Sequence, residues 1–439
     1  MRILIVSHGH PAFSIGGAEV ASYNLFRGLG RLSGCESHYL SRIGPPFAPH
    51  RDTPLMSLRQ NGRETLFWAN DYDYFLLANR DPDGLRRHLE RFLKDLAPDI
   101  VHFHHVLGFG VQSLRSARAV LPDAPIVLTL HEYLSICHRH GQMVKTAGMQ
   151  LCQRASPGEC AVCFPEIAPA EFLRRELFLK SFYGLVDAFV GPSRFLLDRY
   201  AAWGLPAERL VYLENGLELG AAAPPRPLAH PGARRSRFAY FGQLNPFKGI
   251  KVLLEAVTRI PAEVWGQDSI LYVFGGNLEL QPPAFREQLG RLMRTAGQRV
   301  RFMGSYKGHE LARLMREADW VIVPSTWWEN SPVVIQEAFF HGRPVITSDI
   351  GGMAEKVRDR VDGLHFRAGS AESLADSLIS ALRDQGLWER LRARIRRPLS
   401  ADEAAAQHRG LYARLLAGRR GATALAGDPG EPGSAKAVA

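Results

Sequence analysis

The residues best suited to chemistry lie in Pro324-Ser325-Thr326-Trp327-Trp328-Glu329-Asn330-Ser331-Pro332 and the apolar stretch behind it, where Glu329 and Glu337 stand with seven residues between them. Carboxylates so spaced straddle a turn and the first turns of a helix, so both can face one cleft and accept hydroxyl groups. Ser331 suits the N-cap and Pro332 the first helical turn, which leaves the amides of Val333 and Val334 free to point at a phosphate. Chance produces such a pair readily; its weight comes from its place between a strand and a helix. A second set is Phe241-Gly242-Gln243-Leu244-Asn245-Pro246-Phe247-Lys248-Gly249, where a strand ends in a glycine turn and one lysine precedes a helix. An ammonium there can neutralise a phosphate as a point charge, although read alone it is an ordinary solvated lysine. Gly275 and Gly276 follow another apolar run, and Gly16-Gly17-Ala18-Glu19 opens a helix after the first one. Glycines at such turns let backbone approach an anion closely, but no complete dinucleotide fingerprint accompanies them.

These residues need a scaffold that ends strands beside helix starts. Short runs rich in Val, Ile and Phe alternate with segments of helical period, the pattern of an α/β chain with doubly wound parallel sheets. Strands are expected at Ile3 to Val6, Asp99 to Phe103, Ile126 to Leu130, Ala188 to Val190 and Leu210 to Leu213, with a helix at Glu171 to Gly184. A second series is expected at Phe238 to Phe241, Ile270 to Phe274, Val300 to Met303, Trp320 to Val323 and Pro344 to Thr347. The expected organisation is a first domain over 1–213 with a cysteine-containing insertion at about 137–163, and an aperiodic Ala-, Pro- and Arg-rich linker over 214–236. A second domain over 237–400, a helix over 401–417 packing back and a disordered tail over 418–439 complete it. Open sheets of this kind take ligands at the carboxyl ends of their strands, where the glycine pairs, Lys248 and Glu329 all fall.

Composition narrows the class. The chain is 46% apolar and 22% charged, with 54 Lys+Arg against 44 Asp+Glu and a net charge of +10. The excess is mild and interspersed with acids, and no aromatic-and-basic module stands out, so no nucleic-acid partner is expected. The first apolar run, Ile3 to Val6, is four residues long, short of the roughly 7–15 of a signal peptide or the roughly 20 of a membrane span. Five cysteines without a disulfide framework point to a cytoplasmic protein.

With these residues in place, the sequence resembles the family 4 retaining glycosyltransferases of GT-B fold (glycosyl transferases group 1), over most of the chain up to about Leu416. The resemblance is strongest in PSTWWENSPVVIQEAFFHGRPVITSDIGGMAEKVRDRVDGLHF, with support from Gly16-Gly17, VGPSRFLLDRY, Asn215-Gly216 and GQLNPFKG. It implies two Rossmann-like doubly wound domains facing each other across a cleft, the first on the acceptor side and the second binding the donor nucleotide. It implies transfer of a sugar from a nucleoside-diphosphate-sugar donor to a hydroxyl of a polysaccharide, glycolipid or lipid-linked glycan acceptor, with no cofactor required for the chemistry. By the same resemblance Glu329 lies near the donor sugar, Glu337 meets the nucleotide ribose and Lys248 holds the diphosphate. The amides around Asn330, Ser331, Val333 and Val334 support it, and Gly16, Gly17, Gln243 and Gly275 line the donor. His131, at the end of IVLTLHE, falls where the family often has a histidine facing the sugar. Retention without an obvious nucleophile implies a front-face displacement in which the leaving phosphate takes the acceptor's proton. Glu329, Lys248 and His131 are then the catalytic candidates. The family usually carries arginine where this chain has Gln243, which leaves a degenerate sugar-nucleotide-binding or scaffold subunit, or a GT-B-like epimerase, as alternatives.

Two further features are separate from this set. Cys137, Cys152, Cys160 and Cys163 form C-x14-C-x7-C-x2-C, a spacing compatible with a structural zinc at the rim of the acceptor site. Arg390, Arg392, Arg394, Arg396 and Arg397 with Leu391 and Ile395 interleaved suggest weak peripheral contact with an anionic inner membrane surface.

Overall fold

The computed structural model describes the chain apart from Ile15, residues 49–51 and 60–61, Pro231 and residues 427–439, and describes no side chain beyond Arg419. Its first ten strands are β1 (Arg2–Ser7), β2 (Glu36–Ile43), β3 (Leu55–Ser57), β4 (Glu64–Trp68), β5 (Tyr72–Asp73), β6 (Ala78–Asn79), β7 (Ile100–Phe103), β8 (Ile126–Thr129), β9 (Ala188–Gly191) and β10 (Leu210–Tyr212). Eight of them make one sheet in the order β10-β9-β8-β7-β1-β2-β4-β3, while β5 and β6 form a separate two-stranded hairpin. All neighbours in the large sheet run parallel except β3, which pairs antiparallel with β4 at the edge. The other six are β11 (Arg237–Phe241), β12 (Ile270–Phe274), β13 (Val300–Gly304), β14 (Trp320–Val323), β15 (Val345–Ser348) and β16 (Gly363–Phe366). They make an all-parallel sheet in the order β13-β12-β11-β14-β15-β16.

Both sheets are covered on both faces, which is why their central strands read as unbroken apolar runs. In β1, Leu4 and Val6 enter the core on one face, and Ile3 and Ile5 enter the other. In β14, Trp320 and Ile322 face one cluster, and Val321 and Val323 the opposite one. Among the strands that the apolar pattern did not reveal, β2, β4 and β16 carry buried polar groups or glycine: Ser37 and Ser41 in β2, Glu64 in β4, Gly363 in β16.

The segment after β10 is not an exposed loop throughout. The buried Arg343 guanidinium donates to the carbonyls of Ala223 (3.0 Å) and Pro224 (2.7 Å), and the fully buried Asp319 accepts from Arg226 (2.8 Å) and Arg235 (3.3 Å). These contacts lay residues 223–226 and Arg235 against the second sheet's domain. The C-terminal helix Ala401–Ala426 crosses back to the first domain and runs past Gly418, where the sequence suggested that order ends; the rest of the expected disordered tail, 427–439, lies outside the described residues. Its crossing relies on Gly28 of the helix Gly17–Arg31, where a Cβ would lie 2.5 Å from the Ala401 carbonyl oxygen. Beneath it the Tyr412 hydroxyl meets His102 Nδ1 at 2.6 Å. No helix among the described residues is long and apolar enough to cross a membrane.

Candidate active site

In each sheet the strand order reverses beside the first strand: β1 lies between β7 and β2, and β11 between β12 and β14. The loops leaving β1, β11 and β14 therefore open into a crevice at the carboxyl ends. Gly16-Gly17 follows β1, and the Gln243–Lys248 turn follows β11. The Ser325–Asn330 loop follows β14.

Glu329 is buried, and its Oε1 accepts from Lys248 Nζ at 2.6 Å, Ser325 Oγ at 2.7 Å and Trp327 Nε1 at 2.8 Å. Burial by itself would raise this carboxyl, but the Lys248 charge and the three hydrogen bonds hold it below the usual glutamate range, so it is ionised. No described residue hydrogen-bonds its Oε2. Ser325 and Trp327 were not singled out in the sequence; their signal is the spacing, four and two residues before Glu329.

Lys248 reaches this loop because of the turn that carries it. The Asn245 side chain accepts from the amides of Phe247 and Lys248, both at 3.0 Å, closing the short helix Pro246–Lys248. Gly249 follows with φ +70°, and a Cβ there would lie 1.7 Å from the Pro324 carbonyl oxygen. The Thr326 amide then donates to Phe247 O at 2.8 Å, clamping the two loops together. Gln243 is exposed, with its amide oxygen 3.3 Å from Asn245 Nδ2, so a neutral group stands at this rim. A Cβ at Gly275 would lie 2.1 Å from the Gly242 carbonyl oxygen.

The helix Val333–Phe340 starts with Pro332 as N-cap, and no side chain bonds its first amides. Ser331, expected as the cap, turns its hydroxyl to Glu214 Oε1 (2.8 Å), which also accepts from Gln336 Nε2 (2.8 Å). A charged acceptor draws the hydroxyl away from the backbone. The amides of Val333 and Val334 are left uncapped, as the phosphate reading requires. Glu337 sits on this helix with a carboxyl that no described residue hydrogen-bonds, and burial pushes it up to about 7. Opposite the helix start is the glycine pair: a Cβ at Gly17 would come within 4.0 Å of Val333 Cγ2. Gly16 makes room for Glu19, whose Oε2 would lie 2.5 Å from a Cβ there.

Asn330 is engaged between domains: it accepts from Ser193 Oγ at 2.5 Å and donates to the His131 carbonyl at 3.2 Å. The His131 ring meets His104 Nδ1 at 3.0 Å. Burial, with His105 and His8 nearby, pushes it down to about 3, so it is a neutral imidazole. Glu214, not anticipated from sequence, joins the two domains through Ser331, Gln336 and Lys356.

The expected zinc site finds no support. The four cysteines line one small cavity with His138 and Glu159, but no group of three or more His, Cys, Asp or Glu side chains among the described residues is disposed to hold a metal. Burial pushes the Cys137 thiol up to about 11 and raises Cys152 and Cys160. In the arginine-rich segment Leu391 is 1% exposed, and Arg390 and Arg397 pair with Asp384 and Glu403. Arg392, Arg394 and Arg396 stand exposed beside these pairs.

Residues 15–220 match the family model described as Glycosyltransferase Family 4, and residues 235–384 that described as Glycosyl transferases group 1. The chain is 28% identical over 309 residues to D-inositol 3-phosphate glycosyltransferase of Jonesia denitrificans, covering 68% of this chain and 67% of that protein. In fold it is similar to sucrose-phosphate synthase from Thermosynechococcus elongatus, with a TM-score of 0.68 at 19% identity, over 95% of this chain and 99% of that one. It is also similar to Anabaena HepE in complex with UDP and glucose, with a TM-score of 0.63 at 17% identity, over 94% and 99%.

Proposed function

The chain belongs to the family 4 glycosyltransferases, group 1, with the GT-B fold, and we propose that it moves a sugar from a nucleoside-diphosphate donor to an acceptor hydroxyl with retention of configuration. The observation that carries this reading is the pairing of Lys248 with the ionised Glu329 beside the uncapped start of the helix Val333–Phe340, facing Gly16-Gly17. Cleavage of a sugar–phosphate bond builds negative charge on the departing diphosphate and positive charge on the ring. Lys248 and the amides of Val333 and Val334 answer the first, in a site that already holds them in place. Glu329 answers the second as a fixed carboxylate. With three donors on its Oε1 it is a poor proton acceptor, so it orients the sugar and balances charge, and the leaving phosphate oxygen takes the acceptor's proton. Glu337, once ionised, accepts the ribose hydroxyls. His131, neutral and flanked by Asn330, offers the sugar a hydrogen bond.

The fold neighbour that holds UDP and glucose supports a nucleoside diphosphate sugar as donor. A glycan or a lipid-linked glycan suits the acceptor side. The test is calorimetry with UDP, GDP, ADP and their sugar conjugates, followed by turnover with the donor that binds and NMR assignment of the product's anomeric configuration. Selective binding, a retained product and loss of turnover but not of nucleotide binding in Glu329→Ala are expected. A chain that binds none of the nucleotides, or gives an inverted product, would overturn the reading.

A further inference from the structure

At the end of β2, on the first domain's side of the crevice, a guanidinium lacks a counter-charge. Arg42 is half-buried, and no carboxylate of a described residue lies within ion-pair distance of it. Its Nε donates to the Ala69 carbonyl at 2.7 Å, and neither Nη group bonds a described residue. A partly buried cation without a partner is unfavourable, so its retention needs a reason.

The surroundings are fitted to this side chain. A Cβ on Gly44 would lie 2.4 Å from Arg42 Nη2, and one on Gly108 would lie 2.9 Å from its Cδ. Gly108 follows β7, on the far side of β1 from β2. The side chain therefore spans the carboxyl end of β1 in a channel kept open by two residues without side chains. Two phenols share this corner. The Tyr72 hydroxyl is buried against the Gly108 backbone and has no side-chain hydrogen-bond partner among the described residues. The Tyr74 ring packs edge-on against Tyr72, with centroids 5.1 Å apart, and Tyr74 is 57% exposed. A guanidinium with both Nη groups available, and a buried phenol close enough to act on its charge, match a phosphate or carboxylate, which accepts several hydrogen bonds at once. An exposed aromatic ring next to them can carry the apolar face of a sugar.

We infer that Arg42 and Tyr72 form a subsite for an anionic group, a phosphate or carboxylate, on the acceptor. The inference rests on the glycosyltransferase reading, with the acceptor on the first domain. It deepens that reading by naming an acidic acceptor, in which the anion is anchored by Arg42 and a hydroxyl is presented toward the donor. A soluble sugar phosphate and a phospholipid headgroup share this chemistry.

The test uses the full chain, and nucleotide calorimetry on the same sample checks the underlying reading separately. Glucose 6-phosphate, glucuronate and glucose are titrated into wild type, Arg42→Ala and Tyr72→Phe. In parallel, wild type is treated with phenylglyoxal, and modification at Arg42 is followed by peptide mass spectrometry with each sugar present. The expected result is that the two acidic sugars bind at least tenfold more tightly than glucose and slow modification of Arg42. That preference disappears in Arg42→Ala and shrinks several-fold in Tyr72→Phe, while nucleotide affinity stays within about twofold. Flotation with phosphatidylinositol against phosphatidylcholine vesicles distinguishes the sources. Arg42-dependent capture by the first alone assigns a lipid headgroup, and no capture with intact sugar-phosphate binding assigns a soluble acceptor. Equal affinity for glucose and its phosphate together with no Arg42-dependent vesicle capture, or undiminished acidic-sugar binding in a folded Arg42→Ala, would overturn the subsite. If Arg42→Ala does not fold, unchanged modification of wild-type Arg42 in the presence of the acidic sugars and of the vesicles does so.

Discussion

Two glutamates eight positions apart in sequence occupy opposite electrostatic states. Glu329 is held ionised by Lys248, Ser325 and Trp327, while Glu337 has only burial acting on it and rises to about 7. The first state makes Lys248 a partner in stability as well as chemistry. Lys248→Ala leaves a buried carboxylate with two neutral donors, and the side chain's 30% exposure moderates the loss. The expected cost is about 1–3 kcal/mol by urea denaturation, with turnover falling by about 10²-fold or more. Adding Glu329→Gln restores part of the stability, because the uncompensated charge goes with it. The second state gives a pH dependence whose sign is fixed. The Glu337 carboxyl titrates near 4.5 when unfolded and about 7 when folded, so the folded state holds the extra proton between those values. Its contribution is fully present below about 4.5 and is lost as pH rises through 7, by up to about 3 kcal/mol. Glu337→Gln should flatten the wild-type decline in melting temperature over this window. Nucleotide affinity in wild type should rise through the same window, since only the carboxylate accepts a ribose hydroxyl well.

The turn between β11 and the helix Ile250–Arg259 sets where Lys248 stands, and Gly249 decides whether that turn can form. Its positive φ costs a side-chain-bearing residue about 1 kcal/mol, and its missing Cβ is what lets the Pro324 carbonyl approach. Gly249→Ala should therefore cost about 3 kcal/mol or more in thermal or urea unfolding, and should weaken nucleotide binding even in the fraction that stays folded. Lys251→Ala, on the solvent side of the same helix, is the matched control and should change stability by less than about 0.5 kcal/mol. This turn was legible in the sequence because strand end, glycine turn and lysine lie within nine residues. The central strands were legible for a different reason: burial on both faces removes polar residues, as in Trp320–Val323. The strand Glu36–Ile43 was not, because Ser37 and Ser41 are buried and the Ser37 hydroxyl is satisfied by the Phe26 carbonyl in the preceding helix at 3.0 Å. Tertiary hydrogen bonding of this kind leaves no local pattern. Ser331 shows the same limit at the site: its sequence position fits a cap, but Glu214, 117 residues away, offers a stronger acceptor. The cysteine spacing suggested a metal, but spacing alone does not show whether the side chains converge on one point, and among the described residues no such group is disposed to hold one.

At the scale of the molecule, the two domains meet through Trp328, which enters the first domain's core against Phe195 with ring centroids 5.0 Å apart, and through polar contacts that concentrate where the chain leaves the first domain. Glu214 accepts from Ser331 and Gln336 and pairs with Lys356, whose ammonium also donates to the Pro192 carbonyl at 2.6 Å. Nearby, the Glu355 carboxylate accepts the Arg194 and Phe195 amides at 3.0 Å each, at the start of the helix Arg194–Trp203. Every one of these bonds joins the donor side to the first domain, so they fix how Gly16-Gly17 faces the helix Val333–Phe340. The pair is largely buried, with side-chain exposures of 10% for Lys356 and 15% for Glu214. Breaking one half therefore leaves an uncompensated charge, whereas removing both leaves none. Lys356→Met should lower kcat by about tenfold or more, the scale at which a misplaced reacting group by about 1 Å is felt. It should also enlarge the radius of gyration in small-angle scattering of the nucleotide-free chain. Nucleotide affinity should change far less, because the residues proposed to hold the diphosphate are untouched. The double variant Lys356→Met/Glu214→Gln should recover folding stability but not turnover, since the contact that sets the angle between domains is still gone. Recovery of both together would mean that the pair acts on stability alone and that the closed arrangement is held elsewhere, most directly by Asn330 between Ser193 and His131.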